Sequence, residues 1–218
     1  MEKQIYPFID PRIEKYCEAM VSSETPNLTE LDRQTHLRFV KPRMISGNWQ
    51  GTLLKILSLI VKPQNILEIG TFTGYATICL AEGLAGNGII HTIEVDREKE
   101  TFLRTLFAAN NLEGKIKLHI GNALDIIPAL CESFDIIFID ADKASYPEYY
   151  HLCKDRLKHG GLLLADNILW YGKVAMAQPP NDKQTQAILK FNHLVANDTD
   201  FDQVILPIRD GITLARKK

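Results

Sequence analysis

"FDQVILPIRDGITLARK", residues 201–217, decides how the rest of the chain is read. Two β-rich runs, 201–208 and 211–217, flank a short polar turn, so they are expected to pair antiparallel. Everything before them, back to residue 64, follows another pattern. β-rich runs alternate with helical ones, the signature of βαβ units whose strands run parallel. The strand candidates are NILEIG (65–70), GIIHTIEV (88–95), KIKLHIG (115–121), FDIIFID (134–140) and GLLLAD (161–166). Several are apolar at nearly every position, as strands covered on both faces are. Helical patterns fall near 74–85, 96–110, 125–132, 146–158 and 182–197, the fourth closing on Lys158, His159 and Gly160 as a C-terminal signal. The fold class expected is a doubly wound, Rossmann-like α/β sheet of seven strands, mostly parallel, with a C-terminal antiparallel hairpin.

Residues 1–63 read as helical cover over that core. In DPRIEKYCEAM, Asp10 is the expected N-cap and Pro11 the first helical residue, with Ile13, Tyr16, Cys17 and Met20 on one face. NWQGTLLKILSLIV repeats the pattern with Trp49, Leu53, Ile56 and Ile60. With no repeat, linker or low-complexity tract, 1–218 is expected to be a single domain.

The composition sets limits on partners. The 218 residues are 45% hydrophobic and 24% charged with net charge −2, so no global field recruits nucleic acid or anionic lipid. Cys17, Cys79, Cys131 and Cys153 form no CxxC pair, which argues against zinc and against a disulfide framework. The N-terminus lacks an apolar signal region and no 18-residue apolar stretch occurs. The expectation is a cytoplasmic protein with no membrane and no nucleic-acid partner.

The chemistry is concentrated at strand ends. ILEIGTFTGYAT (66–77) runs from strand through a glycine turn into a helix, where Gly70 and Gly74 let the backbone pass close to a ligand. It lacks GxGxxG, and Glu68 would repel a pyrophosphate but suit a ligand carrying an ammonium group. Glu94 ends the next strand 24 residues past Gly70, where a carboxylate can accept both hydroxyls of a ribose. Asp96 is read as the cap of the following helix. GNALD (121–125) lies where an adenine edge would sit, with Asn122 or the backbone of Ala123 and Leu124 as contacts.

Asp140 ends the fourth parallel strand and Asp166 the fifth, followed by Asn167. Two carboxylates and an amide oxygen suit a hard divalent cation, Mg²⁺ first and Mn²⁺ or Ca²⁺ as alternatives, and not zinc. The plainer reading makes both acids helix caps or turn acceptors. Lys143 follows Asp140 by three. A lysine beside a bound cation loses its proton more readily, which makes it a workable general base. Its plainer reading is a solvated lysine paired with Glu148. Asp142 reads equally as a cap or as a partner to the ligand set.

LEIGTFTGY, IEVD, FIDADK with its later Tyr, and LLADNILWYGKV together resemble the cation-dependent O-methyltransferases, the catechol and caffeoyl-CoA group of the S-adenosylmethionine-dependent methyltransferases. The terminal hairpin is also that fold's layout. The resemblance implies Asp140, Asp166 and Asn167 as metal ligands and Lys143 as base. It implies S-adenosylmethionine contacts at Glu68, Gly70, Gly74, Glu94, Ala123 and Asp140, with Met44 and Ser46 closing over the methionine end. Where relatives often have a helical serine this chain has Ala76. The resemblance places Trp170 and Tyr171 beside the acceptor, with Lys143 and Asn167, though loop anchoring explains the two aromatics equally well. It further implies a small, hydroxylated aromatic acceptor with adjacent hydroxyls, and a homodimer. The alternatives are an NAD-dependent oxidoreductase, which predicts the missing GxGxxG, and a catalytically silent module that binds the same ligands.

Overall fold

The computed structural model describes residues 9–218. Residues 1–8, the start of the expected N-terminal cover, lie outside the described residues. Seven strands form one sheet: β1 Asn65–Ile69, β2 Ile89–Glu94, β3 Ile116–Ile120, β4 Phe134–Ile139, β5 Leu157–Asp166, β6 Phe201–Leu206 and β7 Ile212–Lys217. Their order is β3-β2-β1-β4-β5-β7-β6. The first five pair in parallel, and β7 inserts antiparallel between β5 and β6. The architecture read from the hairpin and the alternation is the one found.

Helices cover both faces, as apolar parallel strands require. On one side α3 Gly47–Val61, α4 Tyr75–Ala81 and α5 Glu100–Ala109 bury Leu54, Leu80 and Leu103 against Ile66, Ile90 and Phe138. The remaining N-terminal helices are α1 Pro11–Met20 and α2 Pro26–Arg38, whose Leu28 and Leu31 join that layer. On the other side α6 Ala123–Ala129, α7 Tyr146–Lys154 and α8 Lys183–Ala196 pack Ile127, Tyr150 and Phe191 against Ile137 and Leu163.

Three local expectations need correcting. The helix expected over 146–158 stops at Lys154, and Leu157 already belongs to β5. Leu157 is buried and pairs with Phe134, while Lys158 bonds Asp135; these contacts pull the segment into the sheet. Gly160, read as a helix stop, supplies a positive φ of 78° where the strand register shifts.

In α3 the buried face is Gln50, Gly51, Leu54 and Ser58, and Ile56 and Ile60 are exposed. The cause is close helix packing. A Cβ on Gly51 would lie 2.6 Å from the Tyr75 ring, and Ser58 Oγ donates to the Leu80 carbonyl at 2.6 Å. Small and polar side chains face the core because α4 comes so near, which a purely apolar stripe does not register.

α1 has the expected cap, Asp10 accepting from the Arg12 N–H, with Pro11 first in the helix. Its apolar face stays largely exposed: Ile13, Tyr16 and Met20 are all more than half exposed, and Cys17 is partly buried. No helix among the described residues is long and apolar enough to cross a membrane, and all four cysteines are free thiols.

Candidate active site

β1 has β2 on one side and β4 on the other, so successive strands leave it in opposite directions. The carboxyl ends gape there, and this is where open α/β sheets bind ligands. A cavity of about 1220 Å³ lies over those ends. It exceeds the usual size of a single-ligand site, so two reactants can lie side by side.

Of the predicted site residues, all but Ser46, Glu68 and Gly74 border it. Ser46 sits just behind, on a small annex reached past Met44 and Gly70. Gly74 caps α4 with φ 84°, and a Cβ there would meet the Leu106 and Phe107 side chains at 2.9 and 3.1 Å. Its absent side chain lets α4 and α5 meet; that, and not the cavity, is its immediate surroundings.

Glu68 is fully buried in β1, and its Oε2 accepts from Thr77 and Thr92 hydroxyls. Its Oε1 has no protein partner. Burial, reinforced by the charges of Asp140 and Glu94, pushes the carboxyl up to about 7. A raised acid favours folding below its unfolded value near 4.5, and that advantage is lost as pH rises through about 7. Glu68→Gln should therefore gain stability relative to the parent by about 2–3 kcal/mol between pH 5 and pH 8. Urea midpoints at the two pH values measure this, and a gap that stays constant with pH would rule the titration out.

Glu94 is buried and accepts from the Phe72 N–H at 2.8 Å, the Asp96 N–H at 2.9 Å and Lys99 Nζ at 3.2 Å. Two carboxylate oxygens offer about four lone-pair directions, so the side chain is fixed with acceptor capacity to spare. Asp96 caps the next turn as expected, accepting from the Glu98 N–H. Asn122 caps α6 through the Leu124 N–H, which commits its side-chain oxygen and leaves Ala123 and Leu124 on the cavity wall.

Asp140, Asp166 and Asn167 line one region of the cavity. Asp166 is 4% exposed; its Oδ1 accepts from the Asn167 N–H and its Oδ2 from Gln50 Nε2. Burial first, then the neighbouring charge of Asp140, raises its carboxyl to about 6, against the opposing pull of Lys143 and Gln50. Two carboxylates are thus brought together with Lys143 and, more weakly, Arg209 as counter-charges, and a divalent cation bound there would favour the charged form of both. The donor set is all oxygen, and no group of three or more His, Cys, Asp or Glu residues able to hold a metal occurs among the described residues. These residues fit a hard divalent cation and give zinc no hold.

Lys143 is buried and is not paired with Glu148. Its Nζ donates to Asp140 Oδ1 at 3.1 Å and to the Tyr146 hydroxyl at 2.6 Å. Tyr146, fully buried, donates its hydroxyl hydrogen toward the backbone carbonyls of Asp166 at 2.9 Å and Ile139 at 3.3 Å, so its lone pairs are turned to the lysine. Burial holds that phenol well above its ordinary range, so it stays neutral. Two of three ammonium directions are committed, and the third is free where Lys143 borders the cavity. Asp142 accepts from the Tyr149 hydroxyl and makes no side-chain cap.

Trp170 and Tyr171 also line the cavity, their ring centroids 5.2 Å apart. Both have left-handed backbone, φ 49° and 56°, and the Tyr171 N–H is held by Asp210 Oδ1 at 2.7 Å. Gln50, Arg209 and Asp210 carry no site reading from the sequence, and the tyrosine after FIDADK carries one only as part of the family motif. Gln50 sits among apolar helix residues and Arg209 and Asp210 within a turn, so only their long-range bonds give them meaning.

The sequence model of the O-methyltransferase family matches residues 18–218. Catechol O-methyltransferase of Niastella koreensis is 34% identical over 175 residues, 76% of this chain and 79% of that protein. Caffeoyl-CoA O-methyltransferase of Stellaria longipes is 31% identical over 206 residues, 89% of this chain and 84% of that one. Among solved structures, the O-methyltransferase from Bacillus cereus in complex with SAH aligns with TM-score 0.86 at 29% identity, covering 95% of this chain and 97% of that chain. The O-methyltransferase TomG from Streptomyces achromogenes, in complex with SAM, gives TM-score 0.86 at 29% identity over 100% and 99%.

Proposed function

This chain belongs to the O-methyltransferase family, and we propose that it moves the methyl group of S-adenosylmethionine to one hydroxyl of an aromatic acceptor carrying two adjacent hydroxyls, assisted by a divalent cation. Membership in that family sets the oxidoreductase alternative aside. The observation that carries the reading is that Asp140, Asp166, Asn167 and Lys143 line the same cavity as Glu94, with Lys143 bonded to Asp140.

Asp140, Asp166 and Asn167 would hold the cation, Mg²⁺ by preference, which when bound polarises the acceptor hydroxyls and offsets the two carboxylates. Glu94 accepts the ribose hydroxyls, and the wall at Ala123 borders the adenine. Gly70 and Met44 flank the methionine portion, with Glu68 and Ser46 behind them. Lys143, acting as the neutral amine, takes the proton of the reacting hydroxyl on its Nζ lone pair, while its two N–H bonds to Asp140 and the Tyr146 hydroxyl keep that nitrogen in place. The acceptor oxygen then bonds the methyl carbon as the carbon–sulfur bond breaks, its electron pair staying on sulfur. Trp170 and Tyr171 stack the ring so that oxygen and methyl are in line.

Labelled methyl transfer to caffeic acid, with two adjacent hydroxyls, and to p-coumaric acid, with one, tests the acceptor class. The diol should be preferred by about a hundredfold or more, because a site built for two oxygens is left unsatisfied by one. Equal rates would refute the diol requirement. Binding of S-adenosylhomocysteine without transfer to either would favour the silent module.

A further inference from the structure

The turn between β6 and β7 grips both walls of the cavity through neighbouring residues. Arg209 Nη1 donates to the Ile45 carbonyl at 2.8 Å, to the Ser46 carbonyl and to Gln50 Oε1 at 3.5 Å, and Nη2 reaches the Arg43 carbonyl at 3.4 Å. One guanidinium thus collects the whole segment that enters α3. Gln50 carries the connection onward, donating to Asp166 Oδ2 at 2.8 Å. On the other side, Asp210 Oδ1 accepts the Tyr171 N–H at 2.7 Å and the Asp210 carbonyl accepts the Leu169 N–H at 2.9 Å. The Gly211 carbonyl adds the Ile168 N–H at 3.2 Å.

Backbone strain gathers at the same place. Of seven described non-glycine residues with positive φ, five border the cavity: Phe72, Asn167, Trp170, Tyr171 and Arg209. Such conformations persist where surrounding bonds over-determine them. Here the bonds of Arg209 and Asp210 do so for the turn and for the Trp170/Tyr171 loop together. The Asp210 Oδ2 is buried without a partner, so this carboxylate is held for its single bond to the loop and by little else.

We propose that Arg209 and Asp210 are positioning residues for methyl transfer: the turn fixes the donor-side segment 43–50 and the acceptor-side loop 167–171 relative to each other, and so sets the gap the methyl group crosses. The donor and acceptor labels rest on the function proposed above; the mechanical link between the walls does not. A reacting pair displaced by about 1 Å loses on the order of a hundredfold in rate. The turn therefore acts on kcat and leaves donor binding nearly untouched.

Hydrogen exchange on the free protein tests the link without any assay of activity. Arg209→Ala should speed exchange at Leu169 and Tyr171, whose own bonds it does not remove. Asp210→Ala should in return speed exchange at Met44 and Ile45, and Asp210→Asn, which keeps an oxygen acceptor, should restore near-parent rates. Loosening confined to the side each variant touches overturns the proposal; if one variant does not fold, the other decides alone. In the transfer assay, Arg209→Ala should lower kcat by about ten- to a hundredfold with the KM for S-adenosylmethionine within about threefold. An unchanged kcat, or a KM rise for caffeic acid but not for catechol, would make Arg209 a bystander or an anchor for the acceptor's carboxylate and overturn the positioning role. If the parent enzyme transfers no methyl group, the proposed function fails while hydrogen exchange still decides the link.

Discussion

Lys143→Met is expected to lower kcat by about a thousandfold while S-adenosylhomocysteine binds within about threefold of its parent affinity. The side chain is apolar and of similar length, so it fills the same buried space and removes only the nitrogen. That nitrogen is held by Asp140 Oδ1 and by a tyrosine hydroxyl whose own proton is committed to the Asp166 carbonyl. Among the described residues no other lysine bonds Asp140, and the Tyr146 phenol is kept neutral by burial. Lys143→Arg should fail nearly as badly, because a guanidinium keeps its proton. Single-turnover transfer and calorimetry separate the two quantities. A Lys143→Met enzyme within tenfold of the parent would show that the proton leaves by another route.

Gly70→Ala should be severely damaging for so small a substitution. A Cβ there would lie 1.9 Å from the Asp140 carbonyl oxygen and 2.7 Å from its carbon, on a backbone with φ 102°. Both obstructing atoms are main chain, so no rotamer relieves them, and the ends of β1 and β4 would have to part. A loss above about 4 kcal/mol is expected, combining strain with overpacking. Gly114→Ala is the control: nothing lies within 4 Å of its added methyl, and its effect should stay within about 0.5 kcal/mol. Urea midpoints compare them directly, and a Gly70→Ala protein within 1 kcal/mol of the parent would mean that the strand ends yield easily. The glycine read as room for a ligand is thus also room for the neighbouring strand.

What the sequence made legible was whatever is local in sequence. Strands apolar on both faces, separated by helices, announce a parallel sheet, and the polar turn at Arg209 and Asp210 announces the antiparallel end. Strand-end acids were found because the topology brings all such ends to one place. Asp140 and Asp166 line one cavity for that reason. The failures have one physical source as well. Ile56 and Ile60 were read as core because apolar residues usually are, yet α3 approaches α4 through Gly51 and Ser58. Lys158 to Gly160 imitate a helix terminus because lysine, histidine and glycine stop helices; pairing with β4 overrode them. Gln50, Tyr146 and Arg209 act through partners as far as 166 residues away, and no window along the chain displays that.

The measurement closest to the central claim is labelled methyl transfer from S-adenosylmethionine to caffeic acid with Mg²⁺, with excess EDTA, and with Mg²⁺ restored. Asp140, Asp166 and Asn167 bring two carboxylates and an amide to the lining of one cavity, an oxygen donor set that suits a hard divalent cation. Transfer should therefore proceed with Mg²⁺, vanish in EDTA and return when the cation does. Transfer that continues at the same rate in EDTA would contradict the assignment of Asp140, Asp166 and Asn167.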